Sequence, residues 1–242
     1  MIGTILNAAA ILAGGTVGLA TTKQLSAAHQ QALKVILGVL VVSAGLGTTW
    51  KALNGSFLHI LKQLLIVVLA MMLGNLLGKL LRLQKSLNRL GQYAKDKFAH
   101  ADSDSGAANR LNEGFITCSI LYCVGPMAIL GSIHEGLHPG DFLILAIKAA
   151  MDGLATMAFA KAFGGGVLLS ALPVVAYQGT LTLLARSLAP LLQDPALMQS
   201  LEATLGLLVF CVSLIILGLK RIELADYLPS LAIAPLITWW WS

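Results

Sequence analysis

Lys148 and Asp152 stand four residues apart within the apolar stretch Phe142 to Phe163, a spacing that turns both toward one face of an α-helix. At about 1.5 Å rise per residue, Asp152 falls roughly halfway along that helix. A charge at membrane depth costs roughly 2.5 to 3.5 kcal/mol on insertion scales, and such residues mark solute pathways, ion sites and proton relays. The alternative is a mutually neutralising pair that only lets the helix pack. Two neighbouring stretches bring polar groups and loosened backbone toward the same depth. Gly125-Pro126 removes a backbone donor midway along Phe115 to Ile133, flanked by Thr117, Ser119 and Tyr122. Pro173 precedes Tyr177 and Gln178 by about one turn. Broken helices persist in lipid only where protein or a water-filled cavity satisfies the freed carbonyls. Asn7 is a weaker member, because such an amide more often bonds between helices than to a ligand. The candidate set for binding a solute or ion is therefore Asp152, Lys148, Gly125, Pro126, Tyr177, Gln178, Thr117 and Asn7.

A second constellation, His134-Glu135-Gly136-Leu137-His138, matches H-E-x-x-H, in which two imidazoles on one helical face hold zinc beside a glutamate base. Met151-Asp152-Gly153 resembles the L-D-G that accompanies this motif in intramembrane metalloproteases. Gly136 is expected to interrupt the helix, however, and Pro139-Gly140 follows at once. Asp152 would lie about 18 Å along the next helix, counted from Gly140, too far for a third ligand. No Gly-rich phosphate loop, nucleophile elbow or pair of catalytic carboxylates stands elsewhere. A non-enzyme without metal or cofactor is expected, and a zinc hydrolase is the least favoured reading.

The elements that must position these residues follow from composition. Of 242 residues, 57% are apolar and 11% charged, against roughly 25% charged in a soluble domain. Stretches of about 20 residues pass without charge, which lipid permits and water does not. The expected fold class is all-α, a polytopic helical membrane protein of about eight transmembrane segments: Ile2 to Leu19, Leu33 to Thr49, Phe57 to Leu77, Phe115 to Ile133, Phe142 to Phe163, Val167 to Leu188, Leu201 to Leu219 and Leu228 to Trp241. The first has no basic n-region and no Ala-x-Ala site, so it reads as a span and not as a signal peptide. The last is short, carries Pro229 and Pro235 and ends in Trp239, Trp240 and Trp241; the count is seven if it is re-entrant, anchored at the interface by indoles. Cys118, Cys123 and Cys211 fall within these segments without metal-site spacing and read as buried thiols.

The formal charge of +5 is explained by basic cytoplasmic loops and requires no nucleic acid. Placing Lys79, Arg82, Lys85, Arg89, Lys95, Lys97 and Arg110 inside also places Lys23, Lys34, Lys161, Lys220 and Arg221 inside, and leaves Lys51, Lys62 and Arg186 outside. Both termini then face the periplasm. In a variant without native cysteines, a cysteine at Ser103 is expected to resist an impermeant thiol reagent added to intact cells; labelling from outside would reverse the orientation. Between Lys79 and Phe98, Leu80, Leu83, Leu87, Leu90, Ala94 and Phe98 recur three and four apart among basic residues, an amphipathic helix for the inner leaflet or for a second copy in a homo-oligomer. Ala101 to Asn112 reads as a loop.

Gly15-Thr16-Val17-Gly18-Leu19 matches Gly179-Thr180-Leu181-Thr182-Leu183, and Leu37-Gly38-Val39-Leu40-Val41 matches Leu205-Gly206-Leu207-Leu208-Val209. The division this suggests is a single transmembrane domain, 1–242, made of a first three-helix repeat (1–81), a cytoplasmic amphipathic helix and loop (82–112), a central helix pair (113–163) and a second three-helix repeat (164–242). An offset of five spans is odd, so the triplets would be inverted, as in secondary transporters. Chance likeness between Gly- and Leu-rich helices is the alternative.

Several of these residues carry a resemblance. Gly3-Thr4-Ile5-Leu6-Asn7 with Gly14-Gly15, the run from Cys123 to Ile133, Gly140-Asp141, Lys148 with Asp152-Gly153, and Tyr177-Gln178-Gly179 resemble a bacterial inner-membrane family, domain of unknown function 554, the YqgA/YdfK-like proteins. The resemblance covers nearly the whole chain and implies a bacterial inner-membrane location and transport, without supplying a substrate. The leading expectation is a transporter or channel-like protein for a small polar or ionic solute, bound near the bilayer midplane. The second is a non-transporting membrane scaffold, and the third is a membrane metallohydrolase using His134, Glu135 and His138.

Overall fold

The computed structural model describes residues 1–21, 27–53, 55–99, 107–192 and 194–241. Among the described residues, 89% are helical and no strand occurs. The helices are α1 (Ile2–Ala20), α2 (Ala27–Ala52), α3 (Phe57–Leu80), α4 (Leu83–Ala99), α5 (Ala107–Val124), α6 (Pro126–Leu137), α7 (Leu143–Phe163), α8 (Ala171–Leu188), α9 (Pro195–Ile216) and α10 (Ser230–Trp241), with a 3₁₀ turn over Gly164–Ser170 between α7 and α8.

Among the described residues, five stretches are long and apolar enough to cross a membrane, six if the bent pair α5 and α6 counts as one span. One of the five, Leu143–Leu188, is 46 residues long and contains both α7 and α8. Length and composition do not confirm the expected count of about eight. With 12 residues, α10 reaches only about 18 Å, short of the roughly 30 Å hydrocarbon core. Ile5, Leu76 and Leu172 each leave about two-thirds of their surface open (65, 67 and 69%). Across many such side chains that exposure is stable only against lipid, so the protein is a multi-pass membrane protein.

Three local expectations change. The fourth segment is two helices, broken at Gly125-Pro126. The basic amphipathic stretch does not run unbroken from Lys79: α3 ends at Leu80, Arg82 takes a positive φ of 56°, and α4 starts at Leu83. Of the expected loop, residues 101–106 lie outside the described residues, whereas Ala107–Asn112 is the start of α5.

The helices gather into two compact units, Met1–Gln30 with Leu87–Ser187 and Gln31–Ser86 with Leu188–Ser242. Each joins stretches distant in sequence, a grouping different from the sequential repeat order. In the first, α1 lies parallel to α7, with Gly3 against Leu145, Gly14 against Gly153 and Gly18 against Met157. A Cβ at Gly14 would come 2.1 Å from the Gly153 carbonyl oxygen, and one at Gly18 would come 2.5 Å from that of Met157. Without a hydrophobic force between helices in lipid, such close backbone packing is what holds them. After the 3₁₀ turn, α8 runs back along α1: Leu168 meets Gly15, and Gly179 meets Met1. Ile11, Cys118, Tyr122, Ala160, Phe163 and Val174 share the apolar core between them.

In the second unit, α2 and α9 pack antiparallel through Gly45 against Phe210 and Gly206 against Thr49, while α3 packs against α10 through Gly74 and Ser230 and against the 3₁₀ turn Leu224–Tyr227 before it through Gly78 and Asp226. At the tip of α10, Lys62 Nζ donates to the Trp241 carbonyl at 3.1 Å and sits 5.9 Å from its ring centroid, beside an exposed group of Phe57, Trp239 and Trp240 that suits a membrane interface. The buried Asp226 accepts from the Gln84 backbone N–H at 2.8 Å, and Gln84 Oε1 accepts from Ala225 N–H at 3.0 Å. Asp226 thus supplies the missing acceptor for the first turn of α4. Asp226→Ala is expected to cost about 1 to 2 kcal/mol and to speed amide exchange in residues 84–86; unchanged exchange there would refute the capping role.

Candidate functional site

Lys148, Asp152 and Thr156 recur every four residues on α7, so one face of the helix carries all three. The glycine-mediated approach of α1 sets Asn7 against that face. Its Nδ2 donates to Asp152 Oδ2 at 3.0 Å, and Lys148 Nζ donates to the same oxygen. Thr156 Oγ1 donates to the Asp152 backbone carbonyl at 2.6 Å and lies 2.7 Å from the Tyr122 hydroxyl on α5. A threonine hydroxyl has one proton. Tyr122 is therefore the donor in that pair, and the chain runs from Tyr122 through Thr156 to the backbone of Asp152. Lys148 Nζ stands 5.9 Å from the Tyr122 ring centroid, within cation–π range.

This network is buried in the interior of the first unit. Asn7 and Thr156 are fully buried and Lys148 is 4% exposed, while the Asp152 side chain keeps 12% of its surface open. Asp152 concentrates two donors on Oδ2, and Asn7 Oδ1 is buried without a hydrogen-bond partner. The lysine precedes the aspartate by four residues, the less favourable order for a helical ion pair. The arrangement can therefore exchange partners: the carboxylate and the amide both have capacity for a polar ligand.

Beside it, α5 and α6 meet at a 58° bend. Gly125 is the N-cap of α6 and Pro126 its first helical residue, a position where the missing proline donor costs nothing. Tyr122, whose hydroxyl meets Thr156, stands three residues before Gly125 on α5. The structure thus bonds Asp152, Lys148 and Asn7 directly and, through Tyr122, sets the Gly125-Pro126 break nearby; Tyr177 on α8 is half-buried, with no hydrogen bond to the pair. Thr117 and Gln178 are fully buried, but no hydrogen bond ties them to the pair; Thr117 Oγ1 and both amide atoms of Gln178 have no partner. Thr156 was absent from the sequence-derived set, although its spacing from Asp152 signals it. Tyr122 appeared there only as a flanking residue.

The H-E-x-x-H stretch takes another form than expected. Gly136 does not interrupt α6, which continues to Leu137 with His138 as its C-cap. The glycine instead admits α8, since a Cβ there would come 2.5 Å from the Thr182 carbonyl oxygen. Glu135 is turned toward α1 and accepts from Gly3 N–H at 2.8 Å, while His134 Nε2 lies 3.2 Å from Asp141 Oδ2. Among the described residues, no three His, Cys, Asp or Glu side chains are grouped to hold a metal ion.

Comparison with known proteins agrees with the membrane class. A family model described as "Protein of unknown function (DUF554)" matches residues 2–239. The "Uncharacterized membrane protein YdfK" of Bacillus subtilis (strain 168) is 29% identical over 237 residues, covering 98% of this chain and 95% of the relative. The "Uncharacterized protein YqgA" of Escherichia coli (strain K12) is 30% identical over 241 residues, covering 99% and 97%. No solved structure is a significant match.

Proposed function

Because the chain belongs to the DUF554 family, whose description names no activity, function has to be argued from the site, and we infer that the protein carries a small polar or ionic solute across a bacterial inner membrane. The observation that supports this most is the buried Lys148–Asp152 pair bridged to α1 by Asn7 beside a helix broken within the span. Ionisable groups and interrupted helices at that depth suit a binding site near the midplane. Asp152 binds the solute or its coupling ion, Lys148 balances it between occupancies, and the broken backbone at Gly125-Pro126 with Tyr177 and Gln178 supplies further polar contacts. The protein is not an enzyme in this reading; both termini are periplasmic, and α4 lies on the cytoplasmic leaflet or joins two copies.

One observation favours a non-transporting scaffold: Asp152 Oδ2 already has two donors, so the pair could merely lock α1 to α7. Uptake of labelled amino acids, small organic ions and alkali cations into proteoliposomes separates the two. Accumulation above protein-free liposomes, abolished in folded Asp152→Asn, is expected for transport. Absence of flux across the panel would favour the scaffold.

A further inference from the structure

Away from the Asp152 network, the first unit has a second buried carboxylate. Glu135 is 1% exposed; its Oε1 accepts from Gly3 N–H at 2.8 Å and lies 3.1 Å from the Met1 α-amine. Its Oε2 is buried without a hydrogen-bond partner, and so are Thr4 Oγ1, Ser132 Oγ, Thr182 Oγ1 and both amide atoms of Gln178. The packing sets these groups in one region. Thr4 follows Gly3, which bonds Glu135. Ser132 is one helical turn before Glu135 and Gly136, and the Thr182 carbonyl lies against Gly136. Gln178 lies one turn before Thr182, next to Gly179, which meets Met1. Thr4, Ser132 and Gln178 are fully buried and Thr182 is 3% exposed.

Buried polar side chains are as a rule paired, and five unsatisfied ones in one region imply a ligand that they share. A carboxylate oxygen, three hydroxyl oxygens and an amide oxygen form a hard-oxygen donor set, which suits an alkali or alkaline-earth cation and not a transition metal, for which nitrogen and sulfur ligands are preferred. The Met1 α-amine 3.1 Å from Oε1 offsets the carboxylate's charge, so the remaining donors are Oε2 and neutral oxygens; such a site favours a monovalent ion over a divalent one, for which sites gather more negative charge.

We propose that Glu135, Thr4, Ser132, Gln178 and Thr182 form a sodium-ion site. Its role as the coupling ion rests on the transport reading, whereas binding itself does not. Coupling has a physical route, since Asn7 follows Thr4 by three residues on α1 and touches Asp152, so that an ion held at Thr4 fixes the helix that completes the solute site.

The test is thermal unfolding of the purified full chain in detergent, with sodium chloride exchanged against choline chloride at constant ionic strength. A saturable rise in Tm with sodium is expected, lost in Glu135→Gln and shifted to higher sodium in the milder Ser132→Ala, while Gly47→Ala, where an added Cβ meets nothing within 4 Å, keeps it. Equal Tm in sodium and choline would overturn the proposal, as would a sodium response that survives Glu135→Gln. A sodium response without uptake of any solute would sink the transport reading alone. Solute uptake indifferent to sodium, together with no Tm response, would sink the sodium site alone.

Discussion

Asp152→Ala is expected to lower stability by about 3 to 5 kcal/mol, whereas Lys148→Met combined with Asp152→Leu is expected to leave it nearly unchanged. The single substitution removes the partner of an ammonium that is 4% exposed and leaves Asn7 Nδ2 without its acceptor. The double substitution removes both charges and fills the space with apolar atoms, which often costs nothing. Thermal unfolding in detergent measures both. Function should divide the variants differently. If the pair only holds helices together, the stable double variant keeps solute flux; if Asp152 binds, flux disappears in the double variant and in Asp152→Asn despite a folded protein. Flux retained in the double variant would sink the assignment of Asp152 as a binding residue.

The second large effect is expected at the α1–α7 crossing. Gly14→Leu should prevent α1 from docking, and Gly14→Ala should cost about 1 to 3 kcal/mol, the range for overpacking. The obstacle is backbone: a Cβ would sit 2.1 Å from the Gly153 carbonyl oxygen and 2.8 Å from its carbon, so no side-chain rotation can relieve it. The helices must part, and parting separates Asn7 from Asp152. Gly47 in α2 is the control. A Cβ there meets nothing within 4 Å, so Gly47→Ala should stabilise its helix by roughly 0.5 to 1 kcal/mol, because alanine loses less backbone entropy than glycine. Equal effects of the two alanine variants on Tm would show that close packing is not what fixes α1.

The sequence by itself determined the class of the protein, because 11% charged residues cannot cover a water-facing surface and runs of about 20 apolar residues match a bilayer. It also determined which residues share a face: the 3.6-residue period alone sets Lys148, Asp152 and Thr156 in line, and α7 begins within one residue of the expected Phe142 and ends at the expected Phe163. Hydropathy could not separate a span from a broken or short one; the 58° bend at Gly125-Pro126 emerges only in the folded chain. Gly136 shows the same limit from the other side. Read as a helix breaker, it is a helical residue, because lipid offers the backbone no competing hydrogen bonds, and its missing side chain serves α8 instead.

Only the tertiary structure decided which face of α7 meets which helix. Asn7 and Asp152 are 145 residues apart, and no periodicity links them; what joins them is the absence of a Cβ at Gly14 and Gly18, which lets α1 approach the backbone of α7 until an amide and a carboxylate fall within 3.0 Å. The unpartnered oxygens around Glu135 were equally hidden. A lone serine, threonine or glutamine within an apolar run reads as a packing residue, and the cost of leaving it without a partner appears only when the helices close over it and shut out both water and lipid.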